Sequence, residues 1–298
     1  MLSNSLALAA AFCIALSSMF VAALNNRLPL LQLARWQLGA AFVMTALAAT
    51  VTGGWASLGQ KQIEELAASG FFGIVFASTT YFATIFKAGP RLTALLFSLT
   101  SPFALALAYG AYGETIQAWQ GLGIAYVLIG ILVAVALPGH MSAQQGASEP
   151  KASSLGIALG VVTAFGQALG SLFARPAMAS GVDPFAAMAV RIGVAVVIFW
   201  AAAALPALRR RDVAISRREF GLIFTSAFFG TGLGMVLLMA ALKSGNVGIV
   251  STLSSMTPIV ILPMVWVRTG RRPGMAAWAG AFIAIMGTAL ISLNSTPH

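Results

Sequence analysis

The chain has 298 residues, 59% of them hydrophobic and only 8% charged, with a mean hydropathy of +0.91. A water-soluble domain carries about 25% charged residues, so this composition excludes an ordinary soluble protein and points to a membrane chain. The net charge of +10 reads here as loop arginines held on the cytoplasmic side, near anionic lipid, rather than as a nucleic-acid surface.

Apolar stretches of about 20 residues cross the ~30 Å hydrocarbon layer. The first, Met1 to Leu24, lacks the Lys or Arg that opens a signal peptide, and its apolar run is too long for one. It is read as a first membrane helix over 3–24, carrying Ser17, Ser18 and Met19. Further spans follow at 29–50, 65–87, 89–111 and 117–137. A stretch rich in Gly, Ser, Ala and Gln, 138–152, then reads as a flexible linker. Five more spans follow at 153–174, 184–205, 218–242, 246–267 and 274–293.

The two sets of five are related. Phe86-Lys87-Ala88-Gly89 and Ser98-Leu99-Thr100-Ser101-Pro102 return 156 positions later as Leu242-Lys243-Ser244-Gly245 and Ser254-Ser255-Met256-Thr257-Pro258. Arg35 precedes Arg191 by the same offset, and Gly123 and Gly130 precede Gly280 and Gly287 by 157. This is an internal duplication. Because five is odd, the second copy enters the membrane inverted, an arrangement found in many secondary transporters. The expected fold is therefore an all-α polytopic membrane protein, with ten transmembrane helices as two inverted five-helix repeats around a central cavity. Residues 1–137 and 153–298 form the repeats of one integral membrane unit.

Loop Lys and Arg set the orientation. Arg27, Lys87, Arg91, Lys151, Arg209 to Arg211, Arg217, Arg218, Arg268, Arg271 and Arg272 collect on one side, against Lys61, Arg175 and Lys243 on the other. The first side is expected to be cytoplasmic, which puts both termini outside, in a bacterial inner (plasma) membrane.

Within the spans, Gly156/Gly160, Gly166/Gly170 and Gly230/Gly234 are small-xxx-small pairs that let helices pack closely. Pro102 and Pro258 sit mid-span and are expected either to kink their helices statically or to act as hinges with Gly89 and Gly245. Lys87 and Lys243 read as helix-end anchors. Arg35 and Arg191 lie about two turns inside their spans, and either reach back to loop carbonyls or bind a substrate carboxylate. No Asp or Glu falls mid-span, which argues against a proton-coupled exporter of cationic drugs. One cysteine (Cys13) and two histidines (His140 and His298) leave no disulfide, metal cluster or catalytic set, so no enzyme and no cofactor is expected. The polar groups left for a cavity are neutral: Ser18, Met19, Trp36, Thr79, Tyr81, Ser98, Ser101, Gln167, Ser254 and Thr257. They serve either as hydrogen-bonding glue between helices or as the lining for a small zwitterionic solute.

Ala-Leu-Lys-Ser-Gly-Asn-Val-Gly (241–248) followed by Ser254-Ser255-Met256-Thr257-Pro258 resembles the repeat motif of the EamA-type drug/metabolite transporter family, and the resemblance spans nearly the whole chain. Within that family it looks most similar to bacterial amino-acid exporters, including the aromatic amino-acid exporter branch. That resemblance implies an inverted-repeat bundle exporting amino acids or related metabolites by alternating access. The chain departs from the pattern at Leu16 to Met19, where Trp is common, and at Leu99 to Ser101, where aromatics are common in the aromatic exporters. Gln167 also stands in place of a span-six aromatic. Sugar-phosphate or nucleotide-sugar exchange would need several cations around the cavity; a passive channel would need none. The expected partners are a small-molecule substrate and the lipid bilayer, without nucleic acid and with the oligomeric state open.

Overall fold

The computed structural model describes residues 2–24, 27–136, 153–204, 212–270 and 274–293. The expected linker, both histidines, Lys151 and the arginines at 209–211 and 271–272 lie outside the described residues. Helix accounts for almost all of the rest, as it must where no water is present to satisfy backbone groups. The first half comprises α1 (Leu2–Ala23), α2 (Leu30–Val51), α3 (Gln60–Gly70), α4 (Ala77–Phe97), α5 (Thr100–Tyr112) and α6 (Ala118–Ala136). The second comprises α7 (Ser154–Ala179), α8 (Pro184–Ala204), α9 (Arg217–Ala227), α10 (Met235–Leu242), α11 (Val247–Ser254), α12 (Thr257–Thr269) and α13 (Met275–Leu293). One turn of π-helix joins α3 to α4 (Phe71–Phe76), and another joins α9 to α10 (Phe228–Gly234).

Side-chain caps fix several of the starts. The Ser153 hydroxyl accepts from the Gly156 amide at the start of α7, and the Asn246 side chain accepts from Gly248 and Ile249 at the start of α11. Ser216 and Glu219 form a reciprocal capping box on α9. By length and composition, five of the described helical stretches could each cross a membrane, beginning at Leu2, Ser154, Pro184, Arg217 and Val247. The remaining crossings follow from the direction of the chain.

That direction corrects a literal reading of α4. Its backbone is assigned as helix from Ala77 to Phe97, and the sixteen steps from Tyr81 to Phe97 would span about 24 Å if straight. Yet the two rings meet edge to face with centroids 5.7 Å apart. Thr163 donates to the Thr80 hydroxyl at 2.8 Å, while Leu96 packs on Gly160, one turn away along α7. The chain therefore doubles back inside α4, between Ala88 and Leu96, where the sequence places Gly89-Pro90. The expected boundary between spans 65–87 and 89–111 survives as a reversal within the stretch Ala77–Phe97.

The fourth span of each half is interrupted, at Ser98-Leu99 and at Ser255-Met256. Pro102 and Pro258 then lie in the first turn of α5 and of α12. There a helix needs no amide donor from proline, so they start helices rather than kink them.

Ten crossings result, five in each direction, with the ends of α1 (Leu2) and α13 (Leu293) on the same side. We call the two sides the Lys87 end and the Glu114 end. The outermost crossings α6 and α13 run antiparallel against one another through glycines. A Cβ on Gly123 would lie 2.7 Å from the Gly287 carbonyl oxygen, and one on Gly130 would lie 2.5 Å from that of Gly280. The duplicated glycines thus meet crosswise about the pseudo-twofold axis, and backbone-to-backbone packing of this kind is what holds helices together in lipid.

Candidate functional site

The centre is built from two equivalent crossings. Ser69-Gly70-Phe71-Phe72-Gly73 and Ser226-Ala227-Phe228-Phe229-Gly230 stand 157 positions apart and lead into the two π-turns. In the first copy the Ser69 hydroxyl donates to the Gly170 carbonyl of α7 at 2.5 Å, and Gly73 packs on Gly170. In the second the Ser17 hydroxyl of α1 donates to the Ser226 carbonyl at 2.7 Å, and Gly230 packs on Ser17. Each crossing carries a stacked aromatic pair. Phe72 lies on Phe173 with centroids 5.5 Å apart, and Phe229 lies on Phe20 at 6.1 Å. Inserted π-turns recur at functional sites, and these two place one aromatic pair toward each end of the bundle.

The ends themselves differ. At the Glu114 end α10 packs on α7 and α8, and α11 packs on α5 and α7. The inverted counterparts would join α4 to α1, α2 and α12, and no comparable packing joins these among the described residues. The packed end is also stapled by polar bonds. Arg175 Nε donates to Glu114 at 3.1 Å, and Arg175 Nη1 donates to the Leu242 carbonyl at 2.9 Å. The other Glu114 oxygen accepts from the Val247 amide at 2.9 Å. One ion pair thus ties the end of α7 and the α5–α6 connection to the α10–α11 turn, first half to second. Beneath it, in the closed interface, the Ser101 and Thr252 hydroxyls bond one another, both fully buried.

The duplicated arginines are not equivalent either. Arg35 donates to Asp212 at 2.5 Å and lies 5.7 Å from the Trp200 ring centroid. An open groove of about 730 Å³ beside it is lined by Gln32, Trp36, Asp212 and Phe220 among others. Arg191 is 1% exposed, and its Nη1 points at the sulfurs of Met188 (3.4 Å) and Met239 (3.0 Å).

The expected site residues are distributed through this frame. Ser18 and Thr79 bond carbonyls one turn back in their own helices, at 2.9 and 2.7 Å, and Thr79 faces outward. Met19 is half-buried near the Phe20–Phe229 pair, and Trp36 stands edge-on to Trp200 and Phe220. Tyr81 packs on Phe97, and half-buried Ser98 sits in the break before α5. Ser101 is sealed against Thr252. Ser254 donates to Ser251 O at 3.0 Å, and Thr257 donates to Ser254 O at 3.1 Å. Gln167 is half-buried on α7, with no hydrogen-bond partner among the described residues. Gly89 lies in the reversal within α4, and Gly245 packs between Ala241 and Val250 in the α10–α11 turn. Sequence reasoning overlooked the Ser-x-Phe-Phe-Gly pair and the Glu114–Arg175 staple. The first was visible at offset 157; the second joins residues with no sequence pattern between them.

The sequence model of the EamA-like transporter family matches residues 1–136 and 154–293, one stretch for each half. The chain belongs to the EamA-like transporter family. It is an integral multi-pass membrane protein of a family of small-molecule transporters. A solved structure titled "Crystal structure of protein" shares the fold, with a TM-score of 0.80 at 16% identity over 98% of this chain and 96% of that one. Comparison with curated proteins returns no match.

Proposed function

We propose that this EamA-family chain exports amino acids or related small metabolites by alternating access. The observation that carries the reading is the unequal packing of two related ends. In an inverted repeat, the contacts made at one end can be made at the other, so each half supplies the template for an opposite state. The conformation described is packed at the Glu114 end. With the Lys87 end cytoplasmic, as the loop cations favour, that is a carrier open toward the cell interior.

Uncharged groups suit a zwitterionic solute. Ser18, Met19, Trp36, Tyr81, Ser98, Gln167, Ser254 and Thr257 supply donors, acceptors and aromatic faces, with Gln167 carrying an unspent amide. Thr79 and Ser101 join such a lining once helices shift, with Gly89, Pro102, Gly245 and Pro258 at the points where they turn. Phosphate-ester exchange is less well supported, because Arg35 and Arg175 already have carboxylate partners.

Flux of radiolabelled amino acids into proteoliposomes tests the reading. Saturable uptake stimulated by substrate on the opposite side is expected of a carrier and not of a channel. No flux above that of empty vesicles for any amino acid would remove the amino-acid assignment.

A further inference from the structure

Arg191 is the largest fully buried side chain among the described residues, and it lies inside a membrane-crossing helix. None of the four ion pairs among the described residues includes it. Its Nε is buried without an acceptor, and its Nη1 meets only thioether sulfurs, which accept weakly. A guanidinium cannot shed its proton to escape this environment. Burial in the apolar interior without a counter-charge is costly.

The inverted copy shows what is missing. Arg35 occupies the equivalent place and is met by Asp212, five residues before α9 begins. The corresponding stretch before α3 is Trp55-Ala56-Ser57-Leu58-Gly59, which contains no acid. One repeat supplies a carboxylate to its arginine, and the corresponding stretch of the other supplies none.

The setting fits an occupant that comes and goes. The guanidinium sits beside Gly73 at the first π-turn, between α8 and Met239 of α10. The packing of α10 on α8 is one of the contacts that, among the described residues, have no comparable counterpart at the Lys87 end. Separation of that end would uncover Arg191 on the inner face of the bundle.

We propose that Arg191 is a binding site for the charge of a small monovalent anion, either the carboxylate of the transported solute or a halide, uncovered when the Glu114 end opens. This deepens the transport reading and rests on it for access. Charge-assisted hydrogen bonds to a planar guanidinium supply the affinity.

The test uses the purified full-length chain. Equilibrium binding of radiolabelled chloride is measured alongside the unfolding-temperature shift produced by phenylalanine and by phenylalaninamide. Stoichiometric chloride binding identifies the halide, whereas stabilisation by the acid and not by the amide identifies the substrate carboxylate. Arg191→Met is expected to weaken either one roughly tenfold or more, the loss of a charged hydrogen bond. If that variant does not fold, the wild-type comparisons decide alone. Absence of chloride binding together with equal acid and amide shifts in the wild type would overturn the site. Binding left unchanged in a folded Arg191→Met would do the same. Flux measured in parallel separates the two ideas: undiminished transport by Arg191→Met of acid and amide alike, together with unchanged chloride binding, overturns the anion site and leaves transport standing. Chloride binding without flux of any solute supports the site and counts against the transport reading.

Discussion

Replacing Glu114 by Gln breaks the ion pair that ties the two halves together at their packed end. The substitution keeps size and a hydrogen-bonding oxygen, so the Val247 amide can still donate, while Arg175 retains the Leu242 and Lys243 carbonyls. What is lost is the charge-assisted bond at 3.1 Å between side chains that are 21% and 15% exposed. An exposed pair contributes about 0–1 kcal/mol and a broken buried pair costs about 3–5. These partly shielded groups fall toward the lower side, at about 1–2 kcal/mol. Each 1.4 kcal/mol is roughly a factor of ten in a two-state ratio, so the population open at the Glu114 end should rise roughly 5- to 30-fold. Ser101 reports it, because its hydroxyl is sealed against Thr252 while that end is closed. Ser101→Cys, in a background with Cys13 replaced by Ala, should be labelled by a membrane-impermeant thiol reagent faster by that factor when Glu114→Gln is added. Equal labelling rates with and without Glu114→Gln, in proteins of equal thermal stability, would refute the staple as a gate.

Pro102→Ala and Pro258→Ala should change thermal stability by less than about 1 kcal/mol, because both residues occupy first turns where proline is tolerated; a loss much above that would restore a kinking role. Gly130→Leu forces a side chain onto the Gly280 carbonyl and the Ala284 amide, both rigid backbone, and should cost about 1–3 kcal/mol or more, read as lowered unfolding temperature in detergent. Ser216→Ala removes one arm of the capping box on α9 and should cost about 1 kcal/mol, measured in the same way.

Much of the architecture was legible because lipid leaves few options. A backbone with no water around it must be helical, so apolar runs and their spacing give the crossings. The offset of 156 between Lys87 and Lys243 gives the duplication, and an odd number of crossings gives the inversion. Local breaks were harder to read. The sequence reads as separate spans ending at 87 and beginning at 89, whereas the chain reverses within the single stretch Ala77–Phe97. Pro102 reads as mid-span because nothing in Ser98-Leu99-Thr100 announces the break that makes it a helix start. The site was legible as types of residue more than as partners. Ser101 could be singled out as polar and duplicated in setting, but its pairing with Thr252 depends on how α5 meets α11. Arg35 and Arg191 look alike in sequence, and only the fold shows that one of them has a carboxylate beside it.

The glycine contact between α6 and α13 has a consequence for ancestry and assembly. It is formed by equivalent positions of the two halves, and it involves backbone rather than paired chemistries, so it needs no covalent connection through 138–152 to define it. Two separate five-helix chains inserted in opposite orientations could dock by the same surface. Residues 1–137 and 153–298, supplied as independent polypeptides, are therefore expected to reassemble. A single-repeat ancestor that inserted both ways would have been a working dimer before its gene was doubled.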